Sequence, residues 1–247
     1  MPTLPTLPTP PSTRPSAAPR IALTLAMLQQ QLSPKRRVVH AGDLIARAGE
    51  PLDCLYMIHS GLVKTVNTSA DGREHVVGLH FKGDWLGFDA IADGQHGCDA
   101  IAMDVGEVWA IPYGALLQAC ATEPALLAAL HAAMSREISR DRGAMLSLCT
   151  LPADARVADF LRGWAEALAE RGMRTDQITL RMTRAEIGNC LGMTLETVSR
   201  SFSRLAKDKV IGFKAKDRRD VQIPDVGALN EFVRRSLAAA TPAALLQ

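Results

Sequence analysis

Polar residues near the C-terminus recur at helical spacing within TRAEIGNCLGMTLETVSRSFSRL, residues 183–205. Glu196, Ser199 and Arg200 are separated by steps of three and four, and Ser203 continues the series. A helix would therefore carry them on one face. An arginine can donate to both O6 and N7 of guanine, a glutamate can accept from N4 of cytosine, and a serine is a short adaptable partner. This face has the chemistry to read base edges in a DNA major groove.

Two helices joined by a glycine turn must hold this face in place. Thr183 followed by Glu186 is a capping box, which predicts a helix that begins there and runs to about Leu191. Gly192 supplies the turn, and Thr194 caps the second helix. The inner side of the second helix is predicted to consist of Leu195, Val198, Phe202 and Leu205. The arrangement is a helix-turn-helix, whose second helix enters the major groove.

A basic hairpin is predicted after the two helices, in VIGFKAKDRRDVQIP, residues 210–224. Its cations are predicted to contact DNA phosphates, and they are Lys214, Lys216, Arg218 and Arg219. Thr194 and Ser203 are further predicted contacts to the DNA backbone. The alternative is a solvated face on an ordinary helical pair. The joint occurrence of caps, glycine turn, polar face and basic hairpin favours double-stranded DNA as the partner.

Composition limits where DNA binding can come from. The 247 residues carry a net charge of only +2, so a local basic surface must meet the DNA. No run approaches the roughly 20 apolar residues that a membrane helix needs. The proline-rich residues 1–20 lack a signal-peptide pattern and are predicted to form a disordered tail. Five scattered cysteines without a C-x-x-C motif favour a reducing cytoplasm and indicate no zinc or iron–sulfur site.

The N-terminal half is predicted to be β structure. Short apolar runs separated by Gly, Asp and Asn over residues 36–113 predict an antiparallel barrel or jelly roll. The segment SADGRE, residues 69–74, is predicted to be a hairpin tip. Helices and a small hairpin dominate the C-terminal part, so the chain is predicted to be an α+β protein of two domains.

A long helix is predicted to connect the domains, from Thr122 to about Cys149. Apolar residues recur there at steps of three, four or seven, and they form one stripe with an acid in it. The stripe consists of Leu127, Leu130, Met134, Ile138, Asp141, Met145 and Leu148. This helix either packs on its own domain or pairs with its symmetry mate, and its length favours a homodimer.

Four stretches resemble the FNR/CRP family of bacterial transcription regulators, especially its FNR branch. They are MTRAEIGNCLGMTLETVSRSFSRL, LYMIHSGLVKTV, GLHFKGDWLGFDAIADGQH and VWAIPY, within residues 36–225. The resemblance implies a β-roll similar to cyclic-nucleotide-binding jelly rolls at 21–121 and a dimerisation helix at 122–149. It further implies a winged helix-turn-helix domain at 150–235. Residues 236–247 are predicted to be a flexible tail. The implied function is homodimeric, sequence-specific control of transcription, commonly activation.

The resemblance also implies roles for individual residues. The family's base-reading positions match Glu196, Ser199 and Arg200. Thr183 and Arg184 match the start of the first motif helix, which contacts backbone phosphates. Leu195 is apolar where the cAMP-dependent branch has an arginine and the FNR branch a valine, which favours half-sites resembling TTGAT. A patch of the FNR branch that contacts RNA polymerase matches Thr68, Ser69, Ala70, Asp71, Gly72 and Arg73.

The family's known signals do not carry over to these residues. The cAMP-dependent relatives have a glutamate after GD-x-x-G and an Arg-Ser pair further on, whereas Phe88 follows Gly87 here and QHGCDA has no arginine. Asp141 stands where those relatives have a threonine. The FNR branch holds a [4Fe–4S] cluster on three N-terminal cysteines and a fourth in the β-roll, but this tail has none and Trp109 matches the fourth. We therefore predict no cofactor, with haem left open.

The signal itself stays open at this point. The resemblance associates the chain with oxygen, redox or anaerobic control, and a ligand-, haem- or thiol-responsive regulator of the same fold is the alternative. Cys98 and Cys190 are candidate redox thiols, with unreactive thiols as the other interpretation. A cupin-like metal enzyme would need His-x-His and a carboxylate, whereas this chain offers His75 and His80. We therefore predict that the protein is not an enzyme.

Overall fold

The computed structural model describes residues 17–70, 72–214 and 219–240. Across these residues the chain is α+β, with a β-rich N-terminal half, a long central helix and a smaller, mainly helical C-terminal half. The predicted fold class is confirmed. Asp71, Lys216 and Arg218, together with most of the predicted N-terminal tail, lie outside the described residues.

The N-terminal half is a roll of two antiparallel sheets. Its strands are β1 (Lys35–Val39), β2 (Leu44–Ala46), β3 (Cys54–Ser60), β4 (Val63–Thr68), β5 (Glu74–His80), β6 (Trp85–Leu86), β7 (Asp99–Ala102) and β8 (Gly106–Pro112). One sheet has the order β1-β8-β3-β6 and the other β2-β7-β4-β5, which makes β5 an edge strand. The predicted tip between β4 and β5 is present, with the Ser69 N–H donating to the Arg73 carbonyl over 2.9 Å.

Four helices surround the roll: α1 (Ala18–Leu32), α2 (Ala90–Asp93), α3 (Tyr113–Thr122) and α4 (Pro124–Thr150). Helix α1 was not predicted, and the disordered tail was extended too far, to residue 20. Its buried Ile21, Leu25 and Leu28 join one cluster with Leu116 of α3 and Leu126 of α4. Burial of this apolar face outweighs the entropy of ordering the segment. Helix α4 matches the predicted connector closely, two residues late at its start and one at its end.

The C-terminal half contains α5 (Ala153–Glu170), β9 (Gln177–Thr179), α6 (Arg184–Cys190), α7 (Leu195–Lys207), β10 (Gly212–Phe213), β11 (Asp220–Gln222) and α8 (Val226–Ala240). The predicted hairpin is β10–β11, and β9 extends it to a three-stranded sheet of order β10-β11-β9. The flexible tail was predicted to begin at residue 236, but α8 continues to Ala240. This extension follows from packing, because Leu229 is buried and Phe232 and Val233 pack on the same core.

One of the apolar clusters joins the two halves. Buried side chains of the roll and of the C-terminal half belong to a single apolar cluster. Phe81 meets Trp164 of α5 edge to face, with ring centroids 5.9 Å apart. Beside them Asp84 is 2.9 Å from both Arg140 of α4 and Arg171 at the end of α5. Burial disfavours the charge of Asp84, but Arg140 and Arg171 outweigh it and hold the pKa below its usual value.

Candidate nucleic-acid interface

Helices α6 and α7 form the predicted helix-turn-helix. The capping box is present, with Thr183 Oγ1 accepting from the Glu186 N–H over 3.1 Å and Glu186 Oε2 accepting from the Thr183 N–H over 2.7 Å. Gly192 has φ +62°, a left-handed conformation that glycine adopts without steric cost. A Cβ on Gly188 would lie 2.5 Å from the Met193 carbonyl oxygen. The turn therefore closes tightly because both positions are glycine.

Helix α7 is braced against α5 and α6 along one side. Val198, Phe202 and Leu205 are buried, as predicted. Leu195 was predicted to be buried with them and this was wrong, since it is 47% exposed. As the first residue of α7 its side chain points back toward the N-terminal end, and the buried residues of the helix begin only at Val198.

The opposite side of α7 faces outward. Glu196 and Arg200 are exposed and Ser199 is half-buried, and their spacing places them within one turn of each other. Arg200 Nη2 donates to Thr197 Oγ1 over 3.3 Å, and Ser203 Oγ donates to the Ser199 carbonyl over 2.9 Å. The long Arg200 and Glu196 side chains thus project from a rigid helix with their polar ends available to a ligand.

The predicted phosphate contacts have different surroundings. The Thr183 and Thr194 hydroxyls accept from backbone N–H groups as helix caps. The Arg184 guanidinium lies over the Phe202 ring, 3.4 Å from its centroid, so it helps to brace the helix pair. Lys214 is exposed, with Nζ 3.5 Å from Gln177 Oε1. Their contacts with DNA stay predictions, as do those of the two hairpin cations outside the described residues, Lys216 and Arg218.

Two residues of α5 that brace the helix-turn-helix were missed from the sequence. Asp154 accepts from the buried Ser201 hydroxyl over 2.6 Å and from Arg204 over 2.9 Å. Arg156 donates to the Leu151 carbonyl at the end of α4 and to the Leu191 carbonyl at the end of α6, both over 2.9 Å. Satisfied carbonyls at two helix ends stabilise the junction of three helices. The available signal was Pro152 followed by polar residues in the first turn of α5.

The predicted stripe on α4 divides into two parts. Leu130 is 5% exposed and packs inside its own subunit, so its predicted place on a face between subunits is not the one the structure shows. The N-terminal part of α4 docks on the roll, and Met134 is half-buried. Further along, Ile138 is 49% and Met145 67% exposed, and Asp141 is exposed as well. Other large apolar side chains exposed on this helix are Leu127, Leu146 and Leu148.

The predicted polymerase-contacting loop is the tip of the β4–β5 hairpin. Thr68, Ala70, Gly72 and Arg73 are exposed, and Ser69 is half-buried. Gly72 at this tip has φ +80°, a left-handed conformation that glycine adopts without steric cost because it has no Cβ. The contact of this loop with RNA polymerase stays a prediction.

Residues 87–99 of the roll bear on cyclic-nucleotide binding, whose absence from this protein stays a prediction. Residues 87–99 contain no lysine or arginine that could pair with a phosphate. Asp89 instead accepts from the Gly97 N–H over 2.7 Å and from the Cys98 thiol over 3.4 Å. Phe88 stacks near Trp85, with ring centroids 6.0 Å apart. This segment therefore offers a carboxylate and an aromatic ring, but no cation, to a phosphate.

Neither histidines nor cysteines assemble into a metal site in the described part of the chain. His80 is buried, and burial lowers its pKa to about 4, so the ring is neutral at pH 7. Burial raises the pKa of Cys98 to about 12, with Asp89 adding to the effect, and raises that of Cys190 to about 11. These surroundings favour unreactive thiols at both positions. No described helix combines the length and apolar character needed to cross a bilayer.

Comparison with known proteins gives two family matches. Residues 36–123 match the cyclic nucleotide-binding domain and residues 155–232 the Crp-like helix-turn-helix domain. The fumarate and nitrate reduction regulatory protein of Yersinia pestis is 35% identical over 182 residues, covering 74% of this chain and 73% of that protein. The protein of the same name from Vibrio cholerae is 34% identical over 186 residues, covering 75% and 74%.

Solved structures agree with these matches. FixK2 from Bradyrhizobium japonicum has a TM-score of 0.71 at 26% identity, covering 80% of this chain and 96% of that one. TTHB099 from Thermus thermophilus, at 22% identity and a TM-score of 0.64 over 83% of this chain and 100% of that one, shows the shared fold. The matched sequence relatives are regulators and not enzymes, which sets aside the cupin-like alternative. The exposed face of α7 therefore lies in the helix-turn-helix of a protein that belongs to the CRP/FNR family of DNA-binding transcription regulators.

Proposed function

We propose that the protein binds a palindromic DNA site as a homodimer and reads each half-site with Glu196, Ser199 and Arg200. The observation that carries this proposal is the outward polar face of α7 on a helix that Val198, Phe202 and Asp154 hold in place. Its side-chain types suit guanine and cytosine edges. We further propose half-sites resembling TTGAT, because Leu195 is apolar and exposed beside Glu196.

The dimer is proposed to form along the C-terminal part of α4. This part exposes several large apolar side chains, of which Met145 is the most exposed. Several exposed large apolar side chains on one helix are typical of an interaction surface. Pairing of two such helices would bring the two α7 helices to the same side of the assembly, as a palindrome requires.

The test is a gel-shift titration with Arg200→Ala. A bidentate arginine–guanine contact is worth about 1–3 kcal/mol of discrimination, or about 5- to 150-fold in affinity at each half-site. Selectivity for the palindrome over scrambled DNA should fall by about the square of that factor, because the dimer loses the contact in both half-sites, while the dimer stays intact. Arg47→Ala is the matched control, since Arg47 is exposed on the roll. Unchanged selectivity in Arg200→Ala would refute the base-reading role.

We also propose cytoplasmic transcription control, with the hairpin tip at Thr68–Arg73 contacting RNA polymerase. In-vitro transcription at a promoter with the bound palindrome tests this contact. Ala70→Asp at the exposed tip should lower transcript yield without changing DNA affinity. Equal loss of binding and transcription would assign the defect to DNA binding instead.

The signal is proposed to concern oxygen or redox state, on the likeness to fumarate and nitrate reduction regulators. A haem-, ligand- or thiol-responsive protein of the same fold is the second candidate. Protein purified with and without air, compared by visible spectrum and DNA binding, separates them. A Soret band would favour haem, and a featureless spectrum with unaltered binding would reject oxygen sensing through haem or an iron–sulfur cluster.

A further inference from the structure

The β4–β5 hairpin of the roll contacts the first helix of the helix-turn-helix. Lys64 Nζ of β4 is 2.5 Å from Glu186 Oε1 of α6. The Val76 N–H of β5 donates to Asn189 Oδ1 over 3.0 Å, and Asn189 Nδ2 donates to the Glu74 carbonyl. One ion pair and two hydrogen bonds therefore join elements that lie more than a hundred residues apart in sequence, 122 for Lys64 and Glu186.

Asn189 binds the edge of the sheet as a neighbouring strand would. An edge strand presents an outward N–H and C=O on alternate residues. The carboxamide of Asn189 supplies one acceptor to the N–H of residue 76 and one donor to the C=O of residue 74, so it pairs with one outward group of each residue. This contact depends on register, because a shift of β5 by one residue would turn these groups away.

The ion pair beside Asn189 is partly buried. The Lys64 side chain is 18% exposed and that of Glu186 is 29% exposed. Burial raises the pKa of Glu186, but hydrogen bonds from Lys64 and Thr183 outweigh it and leave the pKa below its usual value. Glu186 therefore stays ionised while its two oxygens cap α6 and hold Lys64.

A second contact between the halves lies at the end of α5, where Phe81 meets Trp164 and Asp84 meets Arg171. The chain connection at Leu151 is a third point. The Arg181 guanidinium also lies 3.7 Å from the Asp104 carboxylate, between the same two halves. The hairpin–α6 contact differs from these in holding the first helix of the helix-turn-helix directly.

This docked arrangement leaves the reading face free. The hairpin contacts α6 through Glu186 and Asn189, whereas Glu196 and Arg200 on α7 are exposed. We propose that Lys64 and Asn189 are positioning residues for DNA recognition. By docking α6 on the edge strand they set the direction of α7, and so the spacing between the two recognition helices of the dimer. The inference rests on the proposed function.

The first readout is amide hydrogen exchange of full-length protein without DNA. The Val76 N–H should exchange slowly in the wild type and faster in Asn189→Ala, because its acceptor is removed. Asn230→Ala, at an exposed asparagine of α8, is the matched control and should leave Val76 unchanged. Equally fast exchange in wild type and Asn189→Ala would show that the contact is absent in solution, and would overturn the inference.

The second readout is affinity for palindromes whose half-site separation is changed by one or two base pairs. The wild type should prefer one separation sharply. Lys64→Met/Asn189→Ala should lose about tenfold in affinity at that separation and little at the others, since loosened helices must be ordered on binding. Its preference for bases within a half-site should stay that of the wild type. Lys82→Met/Asn230→Ala is the matched control and should keep the wild-type profile.

Two results with the double variant would contradict positioning. If Val76 exchanges faster in the double variant than in the wild type but the spacing profile is unchanged, the contact forms in the wild type and does not set the half-site spacing. If the double variant binds more tightly at the preferred separation, the hairpin–α6 contact holds α7 in an orientation that disfavours DNA binding. Failure of the proposed function looks different, because wild-type protein would then show no selectivity that depends on Arg200, and the inference would fall with it.

Discussion

Replacement of Glu137 by glutamine tests how much a buried carboxylate on α4 destabilises the folded protein. Glu137 lies on α4, and its Oε2 is buried without a hydrogen-bond partner among the residues described. Burial raises its pKa to about 7, and Asp141, Asp84 and Asp89 add to the effect while Arg140 opposes it. The folded protein therefore disfavours the ionised form of Glu137 relative to the protonated form.

The sign of the pH effect follows from these two pKa values. In the unfolded chain the carboxyl ionises near its ordinary 4.5, whereas in the folded chain it ionises near 7. Below 4.5 both states are protonated, and no free energy is lost. Between these values the unfolded state gives up its proton first, so the free energy of unfolding falls as pH rises. Above 7 the loss is complete and amounts to about 3 kcal/mol.

Urea denaturation at pH 5 and pH 8, at one fixed protein concentration, measures the effect. Glu137→Gln mimics the protonated side chain, so it should increase stability by about 1 kcal/mol at pH 5 and by about 3 kcal/mol at pH 8. Glu74→Gln, at an exposed position of β5, is the control and should shift neither value. A destabilised Glu137→Gln protein at pH 8, or an equal shift at both pH values, would refute the reasoning.

Three further predictions concern single side chains. Asp141→Ala should strengthen the dimer in analytical ultracentrifugation, because two like charges meet at the proposed two-fold axis, and a weaker dimer would contradict that placement. Thr183→Ala should lower the free energy of unfolding by about 1 kcal/mol in urea, since α6 loses its cap, and an unchanged midpoint would contradict the cap's role. Iodoacetamide at pH 8 should label exposed Cys149 well before half-buried Cys190 by mass spectrometry, because partial burial raises the pKa of the Cys190 thiol, and equal rates would contradict that protection.

The sequence carried the fold class and the helix-turn-helix because their signals are local. A capping box at Thr183 and Glu186, a glycine at 192 and apolar residues spaced by three and four define two short helices without knowledge of their neighbours. The hairpin tip at residues 69–74 was equally local. These elements match the structure within a residue or two.

What the sequence did not provide depends on contacts between distant segments. Helix α1 forms because α3 and α4 provide an apolar surface for it to pack on. The proline-rich segment that precedes α1 obscured its helical pattern in the sequence. Asp154 and Arg156 act through partners 47 and 35 residues away, and periodicity carries no information at that range. Leu195 and Leu130 were misplaced because spacing gives a face of a helix but not which neighbour covers it.

The joint between β5 and α6 has a consequence for making hybrid regulators. A crossover at Leu151 would join the sheet edge of one family member to the motif helix of another, and the carboxamide at position 189 would face a foreign backbone edge. A hybrid that takes residues 63–80 and residues 184–190 from the same parent protein keeps a hairpin and an α6 helix that fit each other. Crossover points in hybrid proteins of this family should therefore lie outside both segments, and both segments should come from the same parent.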